Sequence, residues 1–125
     1  MRELLSIENL RAGYGAVEVL RGVDICISHG ELIALLGSNG AGKTTLNAVM
    51  SGLVPPRSGR VVFDGEDLTG AHYRRIVQAG LIQVPEGRKV FPNLTVLENL
   101  ELGAFTRARP RFSENIDRCS ILFHV

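Results

Sequence analysis

The opening of the chain alternates apolar and polar positions. Leu4–Leu10 places Leu5, Ile7 and Asn9 on one side, which predicts a strand. Arg11-Ala12-Gly13-Tyr14-Gly15 ends it with a turn, and Val17–Leu20 is a second short apolar stretch. Gly22–Ser28 reads as a further strand, with Val23, Ile25 and Ile27 on one face and Asp24, Cys26 and Ser28 on the other. This opening predicts an antiparallel, β-rich subdomain. The pattern then changes. Leu32–Leu36 is an unbroken apolar run, as expected for a strand covered on both faces. After Lys43, apolar residues Leu46, Val49, Met50 and Leu53 fall at helical spacing, and Gly52 lies where a helix can stop.

The second half continues as an α/β chain. Pro55-Pro56-Arg57-Ser58-Gly59 is a rigid loop, and Arg60–Phe63 is a strand closed by the turn signal Asp64-Gly65. Ala71–Ala79 predicts a helix with Tyr73, Ile76 and Val77 on one side and Gly80 as its cap. Leu81–Val84 predicts a parallel strand, and Pro85-Glu86-Gly87-Arg88 a loop. Thr95 caps a helix over Val96–Ala104. Arg107–Pro110 reads as a linker, and Ser113 starts a last helix with Ile116, Cys119, Ile121, Leu122 and Phe123 apolar.

Composition narrows the class. With 125 residues, 45% hydrophobic and 22% charged, the chain is the size of one modest globular domain. A net charge of +1 supplies no argument for nucleic acid or an anionic membrane surface. Arg107, Arg109 and Arg111 gather, but Pro110 interrupts them. Cys26 and Cys119 are isolated, without C-x-x-C or His/Cys ligand spacing, and are expected to be buried or unreactive in a reducing compartment. The N-terminus lacks the apolar segment of a secretory signal, and no run approaches the roughly 18–20 apolar residues that span a bilayer. Membrane association is expected only through a partner.

The candidate chemistry lies in Gly37-Ser38-Asn39-Gly40-Ala41-Gly42-Lys43-Thr44-Thr45, which fits G-x-x-x-x-G-K-[ST] between a predicted strand and a predicted helix. Glycines let backbone N–H groups curl into an anion-binding nest at a helix N-terminus. Lys43 supplies a mobile cation for the outer phosphates of a nucleotide, and Thr44 a hydroxyl ligand for Mg2+. Tyr14, between two glycines, is either an aromatic platform for an adenine ring or a tyrosine on a surface turn; base stacking is worth about 1–3 kcal/mol.

These motifs together resemble the ATP-binding subunit of an ABC transporter, and more narrowly the branched-chain amino acid importer (Liv-type) ATPases. The residues that carry the resemblance are Leu10–Gly15, Leu36–Thr45, Gly59–Gly65 and Gln83–Leu100, within a match from about Leu4 to Gly103. It implies an α/β P-loop NTPase: a partial ABC ATPase core with an N-terminal antiparallel β subdomain. Residues 1–104 would form the N-terminal part of the ATP-binding domain and residues 105–125 the start of a helical subdomain. The resemblance implies that Tyr14 stacks on adenine. It puts Glu86 where most such ATPases carry a loop glutamine that touches Mg2+; a solvated loop acid is the alternative. Gln83 lies three residues early and is not assigned that role. ATP and Mg2+ are the implied cofactors. The implied partners are a second ATP-binding subunit, identical or different, and transmembrane permease subunits. The implied location is the cytoplasmic face of the cell membrane, reached through those subunits.

The family's Leu-Ser-Gly-Gly-type signature, Mg2+-holding Asp, catalytic Glu and switch His are not among these residues, so no catalytic residue is assigned and the chain reads as truncated at its C-terminal side. The 125-residue chain is expected to bind ATP with little or no hydrolysis. Without the Asp-bearing strand, the strand feeding the phosphate loop would expose an apolar edge. A non-catalytic nucleotide-binding module is the alternative. Another P-loop class is disfavoured, because there is no Asn-Lys-x-Asp guanine reader and no arginine-rich lid.

Overall fold

The computed structural model describes residues 2–87 and 89–123. Met1, Arg88 at the end of the predicted Pro85–Arg88 loop, and His124 and Val125 after the last predicted helix lie outside the described residues. The described chain forms two compact units, Met1–Gln83 and Val84–Val125.

The first unit is built on a hairpin of two long strands, β1 (Glu3–Tyr14) and β2 (Val17–Ser28). The expected turn at Arg11–Gly15 is shorter than predicted: β1 runs through Arg11, Ala12 and Gly13 to Tyr14, which pairs with Val17. The two stretches expected at Val17–Leu20 and Gly22–Ser28 are one strand. Cross-strand pairing explains both differences, because Arg11 and Ala12 find partners in Arg21 and Leu20 that local pattern cannot reveal. Strand β3 (Ser58–Phe63) joins the other side of β1, and the short β4 (Glu66–Asp67) follows through the Asp64-Gly65 turn. All pairings are antiparallel, in the order β2-β1-β3-β4.

The alternation in β1 changes face midway. Leu5 and Ile7 are buried, then Leu10 and Ala12, while Asn9 is exposed with φ 44°. The register shifts there in both ladders, the mark of a bulge that turns the strand over by one residue. Asp24 holds the kink by accepting the Asn9 N–H at 2.7 Å. Gly59 fits against it: a Cβ at that position would lie 2.5 Å from the Asn9 carbonyl oxygen. The predicted placement of Asn9 beside Leu5 and Ile7 is thereby corrected.

Helix α1 (Lys43–Met50) lays Leu46 and Val49 against Leu5, Ile7, Leu10, Ala12, Leu20 and Val61, closing the core on one face of the sheet. Helix α2 (Tyr73–Ala79) buries Ile76 and ends at Gly80 with φ 103°, the predicted cap, but it starts at Tyr73, after the His72 N-cap, rather than at Ala71, and Tyr73 is exposed rather than on the buried side. Leu32–Leu36 and Leu81–Val84 are not strands, contrary to expectation. An apolar run becomes a strand only where neighbouring backbone takes up its hydrogen bonds, and no described strand pairs with either segment. Leu32 is 98% exposed and Leu36 88%.

The second unit is helical. α3 (Val96–Ala104) has the predicted bounds, and Thr95 and Glu98 form a reciprocal capping box. The Thr95 N–H donates to Glu98 Oε2 at 2.7 Å, and the Glu98 N–H donates to Thr95 Oγ1 at 3.2 Å. The bond from the Thr95 N–H, together with one from the Thr95 hydroxyl to the same Oε2 at 2.8 Å, lowers the Glu98 pKa. The predicted linker is a single 3-10 turn, Arg109–Arg111, running into α4 (Phe112–Phe123). Among the described residues no helix is long and apolar enough to cross a membrane.

Candidate functional site

The bend Gly37–Gly42 connects the Leu32–Leu36 segment to α1. Its tip is a turn in which the Ala41 N–H donates to the Ser38 carbonyl at 3.1 Å, with Asn39 and Gly40 between. Gly42 is the N-cap of α1 at φ 92°, and the first helical hydrogen bond runs from the Leu46 N–H to the Gly42 carbonyl at 2.8 Å. The N–H groups of Lys43, Thr44 and Thr45 therefore precede the helical ladder. No side chain caps them and no acid lies in the first turn. An anion is the natural complement to such an end.

Gly42 is required twice over. Its φ is left-handed, and a Cβ there would stand 2.9 Å from Leu20 Cδ2 and 3.4 Å from Val19 Cγ1. Strand β2 thus packs against the root of the loop. The Lys43 ammonium folds back over the bend, donating to the Gly37 carbonyl and to the Ser38 carbonyl at 3.0 Å. Both are neutral acceptors, and a phosphate oxygen is a stronger one for the same cation. Thr44 is exposed. Thr45 turns inward, 5% exposed, so it offers the site only its backbone N–H.

Tyr14 is half exposed at the end of β1, opposite Val17 at the tip of the hairpin whose second strand flanks Gly42. Glu86 is exposed on a bend in the second unit. Among the described residues no three His, Cys, Asp or Glu side chains gather as metal ligands. Mg2+ at a nucleotide takes one or two protein oxygens and completes its shell with phosphate and water, and the exposed Thr44 offers a hydroxyl oxygen at the start of α1. Thr44 fits as such a ligand.

Three residues matter more than the sequence indicates. Asn99 pins the loop ahead of α3: its Oδ1 accepts the Phe91 N–H at 2.8 Å and its Nδ2 donates to the Phe91 and Thr95 carbonyls at 3.1 and 2.9 Å. A polar residue one turn inside a helix is the only sequence signal for this. Gln83 takes a hydrogen bond from the Ser51 hydroxyl, tying its segment to the end of α1. Cys26 is exposed rather than buried, on the outward face of β2; its thiol donates to Glu3 at 3.1 Å, and that bond raises its pKa. A thiol kept protonated is a poor nucleophile.

The site is thus a glycine-rich bend at an uncapped helix N-terminus, packed against an antiparallel sheet. The family model described as ABC transporter matches residues 20–123, and the chain belongs to that family. It has the ABC ATPase fold, here as a partial domain.

The chain is 36% identical, over 96% of its length, to the high-affinity branched-chain amino acid transport ATP-binding protein BraG of Pseudomonas aeruginosa, and spans 52% of that protein. It is 38% identical over 78% of its length to the ribose import ATP-binding protein RbsA of Oceanobacillus iheyensis, and covers 20% of it. With the sulfate/thiosulfate import ATP-binding protein CysA of Methylococcus capsulatus the figures are 37%, 86% and 29%. The chain therefore spans about half of one of these curated relatives and less of the others. Among solved structures it is similar to the ADP conformation of MJ1267, an ATP-binding cassette of an ABC transporter. The TM-score is 0.72 at 32% identity, over 86% of this chain and 42% of that one.

Proposed function

We propose that this chain is the nucleotide-holding part of the ATP-binding subunit of an ABC importer. Residues 1–104 belong to the ATP-binding domain and residues 105–125 to the start of its helical subdomain. The observation that carries the reading is the uncapped, glycine-shaped N-terminus of α1, with Lys43 folded over neutral carbonyls. Adenine stacks on Tyr14. The polyphosphate lies in the bend from Gly37 to Thr45, touching Ser38, Asn39, Gly40, Ala41 and Gly42 through their backbone. Lys43 exchanges its carbonyl partners for the outer phosphates. Thr44 supplies a hydroxyl to Mg2+, and Glu86 joins the proposal on its chemistry as a carboxylate. Mg2+ neutralises charge on the phosphates. A second ATP-binding subunit would close over the nucleotide, and permease subunits would turn that closure into transport at the cytoplasmic face of the membrane.

Branched-chain amino acids are the transported class we favour. Support comes from the coverage of 96% with BraG against 78% and 86% with the ribose and sulfate relatives named above. Lys43→Ala tests the nucleotide reading. A Mg-ATP titration by calorimetry should show affinity at least about tenfold weaker, the loss of one charge-assisted bond. Unchanged affinity would remove the phosphate-loop argument.

A second reading is nucleotide binding by these 125 residues without turnover: the roles assigned to Lys43 and Thr44 are to hold phosphate and metal, and neither activates water. Phosphoryl transfer depends on positioned water and charge beyond the cradle. The purified chain should bind Mg-ATP and release no phosphate above the background of the Lys43→Ala variant. Release at the rate of a full-length subunit would exclude this reading.

A further inference from the structure

The hairpin tip that carries Tyr14 has little packing of its own. Gly13 and Gly15 flank the tyrosine, Ala16 is exposed, and a Cβ added at Gly15 would meet nothing within 4 Å. An aromatic platform on such a tip stacks well only for the fraction of time that its backbone holds one geometry. The tip is held from outside its own strands. The Arg57 guanidinium donates through Nη2 to the Gly15 carbonyl and to the Val17 carbonyl at 3.3 Å. Those carbonyls belong to the residue after Tyr14 and to the residue paired with it across the ladder.

The root of this contact is stiff. Pro55 and Pro56 precede Arg57, and the Arg57 N–H donates to the Arg11 carbonyl at 2.7 Å. Ser58 pairs with Arg11, and Gly59 sits flush on the Asn9–Leu10 backbone. Both bonds leave Nη2, whose two hydrogens lie in the guanidinium plane and so have fixed directions, where the donors of an ammonium rotate freely.

We propose that Arg57 is a positioning residue for Tyr14: it clamps the β1–β2 turn so that the tyrosine ring is held ready for the adenine base. This rests on the reading of Tyr14 as the adenine platform. Arg57 acts through the turn and does not touch the phosphates.

The test is calorimetric titration of the 125-residue chain with Mg-ATP and, separately, with Mg-tripolyphosphate, which has no base to stack. Tyr14→Ala should weaken ATP about tenfold and leave tripolyphosphate unchanged. Arg57→Ala should weaken ATP about three- to fivefold, again without effect on tripolyphosphate, and Arg57→Lys should fall between it and the wild type. In the Tyr14→Ala background, Arg57→Ala should add nothing. The clamp is overturned if Arg57→Ala leaves ATP binding intact, if it weakens tripolyphosphate equally, or if the two substitutions multiply. Tyr14→Ala without effect on ATP would instead overturn the platform reading, and the clamp with it. Circular dichroism checks that each variant folds. Should Arg57→Ala not fold, Arg57→Lys decides by the same comparison, and equal losses on both ligands or none on ATP reject the clamp.

Discussion

Asp67 illustrates how a single exposed side chain gains a defined role from its neighbours. Thr69 bonds it through its hydroxyl and its N–H, the latter at 3.0 Å, and Arg60 Nε donates to it at 2.9 Å. These donors hold its pKa at about 2, below the ordinary carboxylate range. A depressed folded-state pKa means that the carboxylate stabilises the fold above the unfolded pKa of about 4 and loses that contribution as pH falls toward 2. Asp67→Asn should therefore lower the melting temperature at pH 6, with the gap to wild type closing between about pH 4 and pH 2. A gap independent of pH would show that Asp67 acts by shape alone. Tyr14 marks the opposite limit. Its residue type allowed two roles, and only its place at the end of the β1–β2 hairpin makes Arg57 its neighbour through the turn.

Elements were legible in proportion to how local their causes are. Helix α3 matched its predicted bounds because Thr95, Glu98 and the apolar spacing act within one or two turns. Gly80 and the Asp64-Gly65 turn were legible for the same reason, since positive φ selects those residue types. Helix α3 should depend on its cap: Thr95→Ala is expected to cost about 1 kcal/mol. Amide hydrogen exchange should then rise over Val96–Asn99 and stay unchanged in β1. Uniform protection would mean that the Asn99 bonds to the preceding loop suffice without Thr95. Strands were less legible. The bulge at Asn9 reverses which residues of β1 face the core, and its cause lies in Asp24 and Gly59, distant in sequence.

For the whole molecule, the largest departure concerns Leu32–Leu36 and Leu81–Val84. Both read as buried strands, yet Leu32, Leu36, Ile82 and Val84 are each at least 65% exposed. Unpaired apolar backbone recruits other chains. The isolated 125-residue chain is expected to self-associate in sedimentation velocity at micromolar concentration, and the double variant Leu32→Lys, Leu36→Lys to shift it toward monomer. A monomeric wild type would show that these segments are covered in solution.

Residue spacing alone determined the glycine-rich bend, the helix that follows it, the Asp64-Gly65 turn and the family resemblance. Each depends on backbone conformations that glycine, threonine or lysine favour locally. Tertiary structure alone decided the length of β1 and β2, the face reversal at Asn9, the inward turn of Thr45, the exposure of Cys26 and the reach of Arg57 to the tyrosine turn. Those features follow from which backbone lies alongside which. An apolar pattern can call for a partner, but only the folded chain supplies one.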